Sequence, residues 1–194
     1  MTGYVNHSGG CKGADMAWEV ACDAHGVKTI AYSFHNHINE SANPYIMTID
    51  ELKEGYEQAL IADKSLHRQF TRTFPTYEDP LHMYVKNLIC RNWFQVKHAE
   101  SIYAIGTFAT KNKTQVNGGT GWAVQMAVDN SKPVLFFDQD SDGWYIYDYS
   151  VGRFEYIEGT PILTVQFAGI GTRDIKDNGL QAILDVVEHT FSPK

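Results

Sequence analysis

Two glycine-rich stretches have the residue types and spacing of a site for a negatively charged ligand. SGGCKGAD covers residues 8–15 and NGGTG covers residues 117–121. Each follows a predicted strand and leads into a helical pattern. The first N–H groups of a helix lack intrahelical acceptors and lie at its positive end, so they attract anions, and glycine lets a phosphate approach the backbone. The alternative for each stretch is a tight structural turn.

The spacing of the glycines excludes two common nucleotide motifs. Neither stretch has the Gly-Lys-Ser/Thr of a P-loop after four spacer residues, and neither fits G-x-G-x-x-G. Taken alone, each stretch is as compatible with a structural turn as with a ligand-binding loop. Two glycine stretches that each connect a strand to a helix together favour a phosphate-bearing ligand. Ligands of open parallel sheets bind outside the carboxyl ends of the strands, where both stretches are expected. We therefore expect one shared pocket.

Composition and charge limit the class of protein. The 194 residues predict a single domain over residues 1–194. A net charge of −7 argues against a general nucleic-acid binder. Without a membrane-length apolar run or a signal-peptide pattern, we expect a cytoplasmic protein with no membrane partner. The three cysteines are too scattered for a disulfide framework or a zinc site, so we expect reduced thiols.

Hydrophobic periodicity predicts alternating strands and helices in the first half of the chain. Ala14, Trp18 and Ala21 fall on one face of a helix between two strands, which is a right-handed crossover unit. A second helix is predicted over residues 49–68, with Asp50 as its N-cap. The prolines within residues 72–80 break the pattern, and a third helix is predicted over residues 81–98.

The second half of the chain continues to alternate predicted strands and helices, and its residue pattern then changes. The pattern predicts buried strands at residues 101–106 and 133–137 on either side of a helix over residues 121–130. The alternating aromatics of residues 143–158 predict a β-hairpin, followed by a last strand and a helix that ends at residue 191. The predicted fold class is α/β, a Rossmann-like parallel sheet flanked by helices, with a C-terminal β-hairpin appendage.

The motifs resemble those of the SLOG superfamily, which includes the Lonely Guy phosphoribohydrolases and the DNA-processing Smf proteins. SGGCKGAD resembles its first glycine loop, and NGGTGWAVQMA resembles its second, which reads PGGxGTxxE in Lonely Guy enzymes. Between them, CRNWFQVKHAESIYAIG resembles the stretch that carries an Arg-Lys pair. QFAGIGTRDI resembles the tail of a phage and bacterial branch of the superfamily.

The resemblance implies a Rossmann-like fold and a nucleotide or related phosphoribosyl ligand, with a homodimer or larger homo-oligomer. Contact with this ligand is expected from the glycine loops, the end of the second strand and the third helix. The predicted ligand-binding residues are Ser8, Gly9, Gly10, Lys12, Gly13, Asn36, Arg91, Asn117, Gly118, Gly119, Thr120 and Gly121. No metal and no cofactor is expected.

The resemblance also identifies three candidate catalytic residues, Arg91, Gln125 and Asp15. Arg91 matches the family's arginine, whereas Asn92 replaces the lysine and Gln125 replaces the catalytic glutamate. A neutral amide neither activates water nor stabilises positive charge on a ribose ring. Base release from nucleoside monophosphates is therefore expected to be absent or very slow, unless Asp15 or Glu19 supplies the missing charge.

Several residues keep a structural and a functional interpretation. Asp15 is either a residue that complements the helix dipole or a ligand contact. Trp18 is expected in the core rather than as a stacking platform, and the pair His35 and His37 is expected in a plain loop rather than a metal site. Arg173 follows a third glycine pair, where a helix entry capped by Thr172 or Asp174 is favoured over a loop that reaches the phosphate.

Three functions from different classes follow from the sequence. The first is a nucleotide-binding module, a sensor or a sequestering protein, which holds its ligand unchanged. The second is an N-glycosidase that cleaves the base from a nucleotide, and the third is a single-stranded DNA-binding module. Gln125 favours binding over cleavage, and the acidic charge makes the nucleic-acid partner unlikely.

Overall fold

A computed structural model describes residues 2–67 and 80–192 of the chain. Within these residues an eight-stranded sheet is flanked by helices on both faces, which confirms the predicted α/β, Rossmann-like fold class. The elements are β1 (Val5–Ser8), α1 (Ala14–Asp23), β2 (Lys28–Ser33), β3 (Tyr45–Ile46), α2 (Ile49–His67), α3 (Pro80–His98), β4 (Ser101–Gly106), α4 (Gly118–Asp129), β5 (Val134–Asp138), β6 (Gly143–Asp148), β7 (Arg153–Tyr156), β8 (Gln166–Gly171) and α5 (Asp177–Phe191).

The strand order is β3-β2-β1-β8-β4-β5-β6-β7, so β8 lies in the middle of the sheet between β1 and β4. The strands from β3 to β5 in this order are parallel to their neighbours. The predicted hairpin, β6 and β7, pairs antiparallel with β5. The hairpin therefore extends the edge of the main sheet.

Helices α1 and α5 pack on one face of the sheet, and α2, α3 and α4 pack on the other. Trp18 of α1 is fully buried beside Tyr103 and Phe167, which places it in the core. Gly169 and Gly171 of β8 let α1 lie close to the sheet. A Cβ on Gly169 would come within 2.6 Å of the Trp18 ring, and one on Gly171 within 2.6 Å of the Ala14 Cβ.

The start of α2 differs from the prediction. Asp50 lies in the first turn of the helix, so it is not the N-cap. Thr48 precedes the helix, its Oγ1 accepts the N–H of Glu51, and Glu51 accepts the N–H of Thr48. This reciprocal arrangement is a capping box, which satisfies two N–H groups that the helix leaves without acceptors.

The start of α5 also differs from the prediction. The helix begins at Asp177 with Lys176 as its N-cap, so neither Thr172 nor Asp174 caps it. Residues 172–176 instead form a loop at the carboxyl end of β8. The break predicted over residues 72–80 lies outside the described residues, apart from Pro80. None of the helices in the described ranges is long and apolar enough to span a membrane.

Candidate functional site

A cavity of about 660 Å³ opens where the carboxyl ends of β1, β8 and β4 meet. This is the edge at which open parallel sheets bind their ligands. The cavity is lined by α3, the start of α4, and the loops that follow β1, β4, β5 and β8. Its lining residues are Cys11, Asp15, Val85, Leu88, Ile89, Arg91, Asn92, Gln95, Gly106, Thr107, Asn117, Gly118, Gly119, Thr120, Trp122, Ala123, Gln139, Ile170, Gly171, Thr172, Arg173, Asp174 and Lys176.

The structure brings about half of the predicted site residues to this cavity. Those that line it are Asp15, Arg91, Asn117, Gly118, Gly119 and Thr120. The remaining predicted residues are not among those that line the cavity. They are Ser8, Gly9, Gly10, Lys12, Gly13, Asn36, Gly121 and Gln125.

The first glycine loop does not present a row of N–H donors to the cavity, because the protein itself occupies several of them. The N–H of Gly10 donates to Ser8 Oγ at 3.1 Å, and the N–H of Cys11 donates to Asp15 Oδ2 at 3.3 Å. The N–H of Ala14, the first residue of α1, donates to the carbonyl of Thr172 at 3.0 Å. The loop therefore contributes Cys11 and Asp15 to the cavity rather than a backbone cradle.

The local structure itself requires glycine at several positions of the first loop. Gly9 lies against Arg91, and a Cβ there would collide with its Nη1. Gly10 and Gly13 have positive φ angles of 62° and 93°, a region that side chains rarely adopt. Gly13 also lies against the backbone of Thr172 and the residue after it. These glycines shape the site, although they are not among the residues that line the cavity.

The second glycine loop presents the start of α4 to the cavity. Its N-cap residue, Asn117, makes no side-chain capping hydrogen bond. Its Nδ2 donates to Thr107 Oγ1 and to the carbonyl of Phe108. The first turn also carries no acidic residue. Gly119 and Thr120 therefore line the cavity at the positive end of a helix whose own N-cap residue makes no side-chain capping bond and whose own first turn has no carboxylate.

Arg91 of α3 is the buried cation of the site. Its side chain is 5% exposed, and its Nη1 lies 3.9 Å from Asp15 Oδ2 and 3.3 Å from Gln95 Oε1. Its Nη2 donates to Cys11 Sγ at 3.4 Å. Among the described residues, no acceptor contacts its buried Nε. A buried guanidinium with an unused donor at a cavity wall is suited to an anionic ligand.

Asp15 of α1 meets Arg91 from the opposite face of the sheet. Burial raises the pKa of its carboxyl to about 6, against the opposing effects of Arg91 and of the Cys11 N–H. A carboxyl whose pKa lies near neutrality, at the wall of a cavity, is suited to proton transfer. It also complements the dipole at the start of α1.

The cavity combines a charged end with an apolar end. Arg173 and Lys176 lie in the loop after β8, and Lys176 forms an ion pair with Asp140 at 2.6 Å. The apolar part lies between α3 and α4, where the lining side chains are Val85, Leu88, Ile89, Trp122 and Ala123. A ligand with an anionic group and an apolar ring system matches this division.

Gln125, placed by the resemblance at a catalytic position, lies outside the cavity. Its Nε2 donates to Asp129 Oδ1 at 2.9 Å, one turn further along α4. Glu19, the other suggested substitute for the missing carboxylate, accepts a hydrogen bond from Ser8 Oγ and also lies outside the cavity. Of the acids suggested from the sequence, Asp15 is therefore the one at the cavity wall.

The remaining sequence candidates lie on the surface or in a loop. Lys12, Asn36 and His35 are exposed. His37 is half-buried, and its Nδ1 lies 3.0 Å from Ser33 Oγ. Within the part of the chain that is described, no three potential ligands among His, Cys, Asp and Glu are grouped to hold a metal ion.

Sequence reasoning overlooked Cys11, Gln95, Thr107 and Lys176, all of which line the cavity. Two signals could have pointed to them. Cys11 lies inside the first glycine loop, and Gln95 lies one helical turn beyond Arg91, on the same face of α3. Thr107 and Lys176 gave no such signal, because their proximity depends on the order of the strands.

Comparisons with known proteins give this site no relative. No family model matches the chain, and neither a curated protein nor a solved structure is significantly similar to it. The function must therefore be argued from the cavity itself.

Proposed function

We propose that the chain binds a nucleotide or a related phosphoribosyl ligand in this cavity, as a sensor or a sequestering module. The proposal rests on one observation. The buried guanidinium of Arg91 lines the same cavity as the start of α4, whose N-cap residue, Asn117, makes no side-chain capping hydrogen bond. Both lie at the carboxyl edge of the sheet. A phosphate group here would accept hydrogen bonds from backbone N–H groups of α4 and a charge-assisted hydrogen bond from Arg91.

The rest of the cavity supports a ligand larger than a phosphate ion. The apolar surfaces of Leu88, Ile89 and Trp122 are suited to a base, and the polar side chains of Asn92 and Gln95 also line the cavity. Asn92 Nδ2 also donates to the carbonyl of Gly119 at 3.4 Å, which ties α3 to the start of α4. A nucleoside phosphate combines an apolar base, a polar sugar and an anionic group, which match the three kinds of side chain at the cavity wall.

A thermal-shift panel of nucleotides, NAD derivatives and ribose phosphates tests the proposal. We expect at least one of them to stabilise the protein. Gly119→Asp should abolish the shift, because it adds a carboxylate at the proposed anion position. Gly119→Ala is the matched control and should retain it, since a Cβ at Gly119 has no neighbouring atom within 4 Å. A wild-type protein that responds to nothing in the panel would count against nucleotide binding.

A second candidate function, the N-glycosidase, is favoured by Asp15. Its carboxyl lies at the cavity wall with a pKa raised to about 6, so it could act as an acid or a base near neutral pH. In this reaction a carboxylate stabilises positive charge on the ribose ring or activates water. Gln125 does not line the cavity.

Release of free base from a set of nucleoside monophosphates, followed by chromatography, separates the two functions. If the chain is an N-glycosidase, Asp15→Asn should reduce the rate by about 10²–10⁴-fold. Gln125→Glu should leave the rate unchanged and serves as the control. Stabilisation by a nucleotide without base release would assign the protein to the binding class.

A further inference from the structure

Cys11 lies at the wall of the cavity between two nitrogen-bearing side chains. It is half-buried, and its Sγ accepts a hydrogen bond from Arg91 Nη2 at 3.4 Å. On its other side, His37 Nε2 lies 3.7 Å from the same sulfur. The His37 ring is held in turn by Ser33 Oγ, 3.0 Å from Nδ1. The thiol is thus presented to the cavity by three different parts of the fold.

The groups that face Cys11 are mainly cationic or neutral. Burial, with the nearby Arg91 and Arg173, lowers the pKa of His37 to about 4, so its ring is neutral near pH 7. When Ser33 O–H donates to Nδ1, the neutral ring carries its proton on Nε2 and donates to sulfur. The Asp15 carboxylate accepts the backbone N–H of Cys11. The sulfur therefore lies between the Arg91 guanidinium and the His37 ring at the cavity wall.

A second observation points to an anionic ligand beside this thiol. The Arg91 side chain is 95% buried, yet its Nε meets no acceptor within the described residues. Buried donors of this kind are ordinarily satisfied, so an anion in the cavity is a natural partner for this guanidinium. Cys22 and Cys90 are buried, and burial raises the pKa of each thiol to about 12. They are unreactive internal standards for Cys11.

We propose that Cys11 is a nucleophilic thiol that reacts covalently with carbon electrophiles whose anionic group binds beside Arg91. The sulfur lone pair forms the S–C bond, the bond from that carbon to its leaving group breaks, and the leaving group departs with the electron pair. The thiol proton passes to solvent before the attack. This inference rests on the anion site of the proposed function, although it requires neither a nucleotide nor base release.

Iodoacetate and iodoacetamide test the proposal, because they share a reacting carbon and a leaving group but differ in charge. Modification of each cysteine peptide is followed by mass spectrometry on the folded protein, with free cysteine as the reference. We expect the iodoacetate-to-iodoacetamide rate ratio of Cys11 to exceed that of free cysteine by about tenfold or more, as for a site that concentrates anions. Inorganic phosphate should slow carboxymethylation of Cys11. Cys22 and Cys90 should remain unmodified.

Two exposed cations provide a matched pair of variants. Arg173 lines the cavity, whereas Arg153 lies on β7 and does not line it. Arg173→Gln should lower the rate ratio several-fold, and Arg153→Gln should leave it unchanged. An equal effect of the two variants would mean that overall charge, and not a site, governs the reaction, and would overturn the proposal.

The cysteine-reactivity test and the nucleotide-binding test can be contradicted independently of each other. A Cys11 rate ratio equal to that of free cysteine overturns the covalent proposal, even if a nucleotide stabilises the protein. A raised ratio that phosphate suppresses supports it, even if no nucleotide in the panel binds.

Discussion

Arg91 and Asp15 belong to helices on opposite faces of the sheet, and they meet at the sheet's edge because Gly9 has no side chain between them. A Cβ on Gly9 would collide with Arg91 Nη1 and lie 2.6 Å from Asp15 Oδ2. The pair is almost fully buried, so each charge depends on the other and on the surrounding N–H groups. At the scale of single residues, this pair is the centre of the site.

The raised pKa of Asp15 makes a prediction about stability and pH. Asp15 binds its proton more tightly in the folded protein, with a pKa of about 6, than at its ordinary value of 3.8. Its contribution to the free energy of unfolding is therefore full below about pH 4 and is lost as the pH rises through 6, by on the order of 3 kcal/mol. Urea denaturation of wild type and Asp15→Asn from pH 4 to 7 measures this difference.

The comparison with the variant is needed because His37 acts in the opposite direction. Its pKa is lowered to about 4, so its contribution is lost as the pH falls from 6.5 towards 4. The two effects oppose each other in the wild type. Because Asp15→Asn keeps His37, the difference in unfolding free energy between wild type and variant isolates the contribution of Asp15. A wild-type curve parallel to that of Asp15→Asn over this range would contradict the shift.

Arg91→Ala should weaken nucleotide binding by about 1.5–3 kcal/mol, because it removes a charge-assisted hydrogen bond to the phosphate. Titration calorimetry with the ligand identified in the thermal-shift panel measures the loss. Arg153→Ala is the control, since Arg153 is an exposed arginine paired with Glu155 on β7. A large loss of stability with unchanged affinity would make Arg91 a structural residue.

At the scale of elements, α2 and α3 pack closely because of a glycine inside a helix. Gly55 of α2 lies against the backbone of α3, and a Cβ there would collide with the carbonyl oxygen of Cys90. Glycine in a helix interior ordinarily costs about 1 kcal/mol relative to alanine. Close approach of the two helices gives this one a structural reason. Since α3 also carries Arg91 and Gln95, the position of α3 determines the shape of the cavity.

Gly55→Ala should therefore destabilise the protein by about 1–3 kcal/mol, although alanine is the better helix former. The backbone of α3 cannot move aside as a flexible side chain could. Chemical denaturation measures the change. Gly119→Ala provides the contrast, because its Cβ has open space and should change stability little. Stabilisation by Gly55→Ala would show that the helices separate without cost.

At the scale of the whole molecule, the sequence predicted the strands and helices well, but it did not predict which strands lie side by side in the sheet. The strand at residues 101–106 was predicted at its observed bounds, because a continuous apolar run between turn residues marks a buried parallel strand. The central place of β8 left no local signal. Lys176 and Thr172 reach the cavity through that placement, which depends on contacts between residues far apart in the chain.

The predicted homodimer or larger assembly stays a prediction. The hairpin at the sheet edge exposes the apolar side chains of Ile146, Tyr149, Val151 and Tyr156, which are 38–61% exposed. Light scattering at micromolar concentration should give a mass above the 21.9 kDa of one chain, and Tyr156→Glu should lower it. A wild-type mass of 21.9 kDa would reject the assembly.

The central position of β8 has a consequence for how the protein is made. During synthesis, the residues of β1 to β7 leave the ribosome before those of β8. Until β8 emerges, β1 and β4 each lack a neighbour, and unpaired strand edges of this kind are prone to join other chains. The cavity is completed by the same strand, since the Thr172 carbonyl and Arg173 follow it. A nascent chain therefore completes this cavity late in translation, and a message cut short before residue 166 yields a product without it.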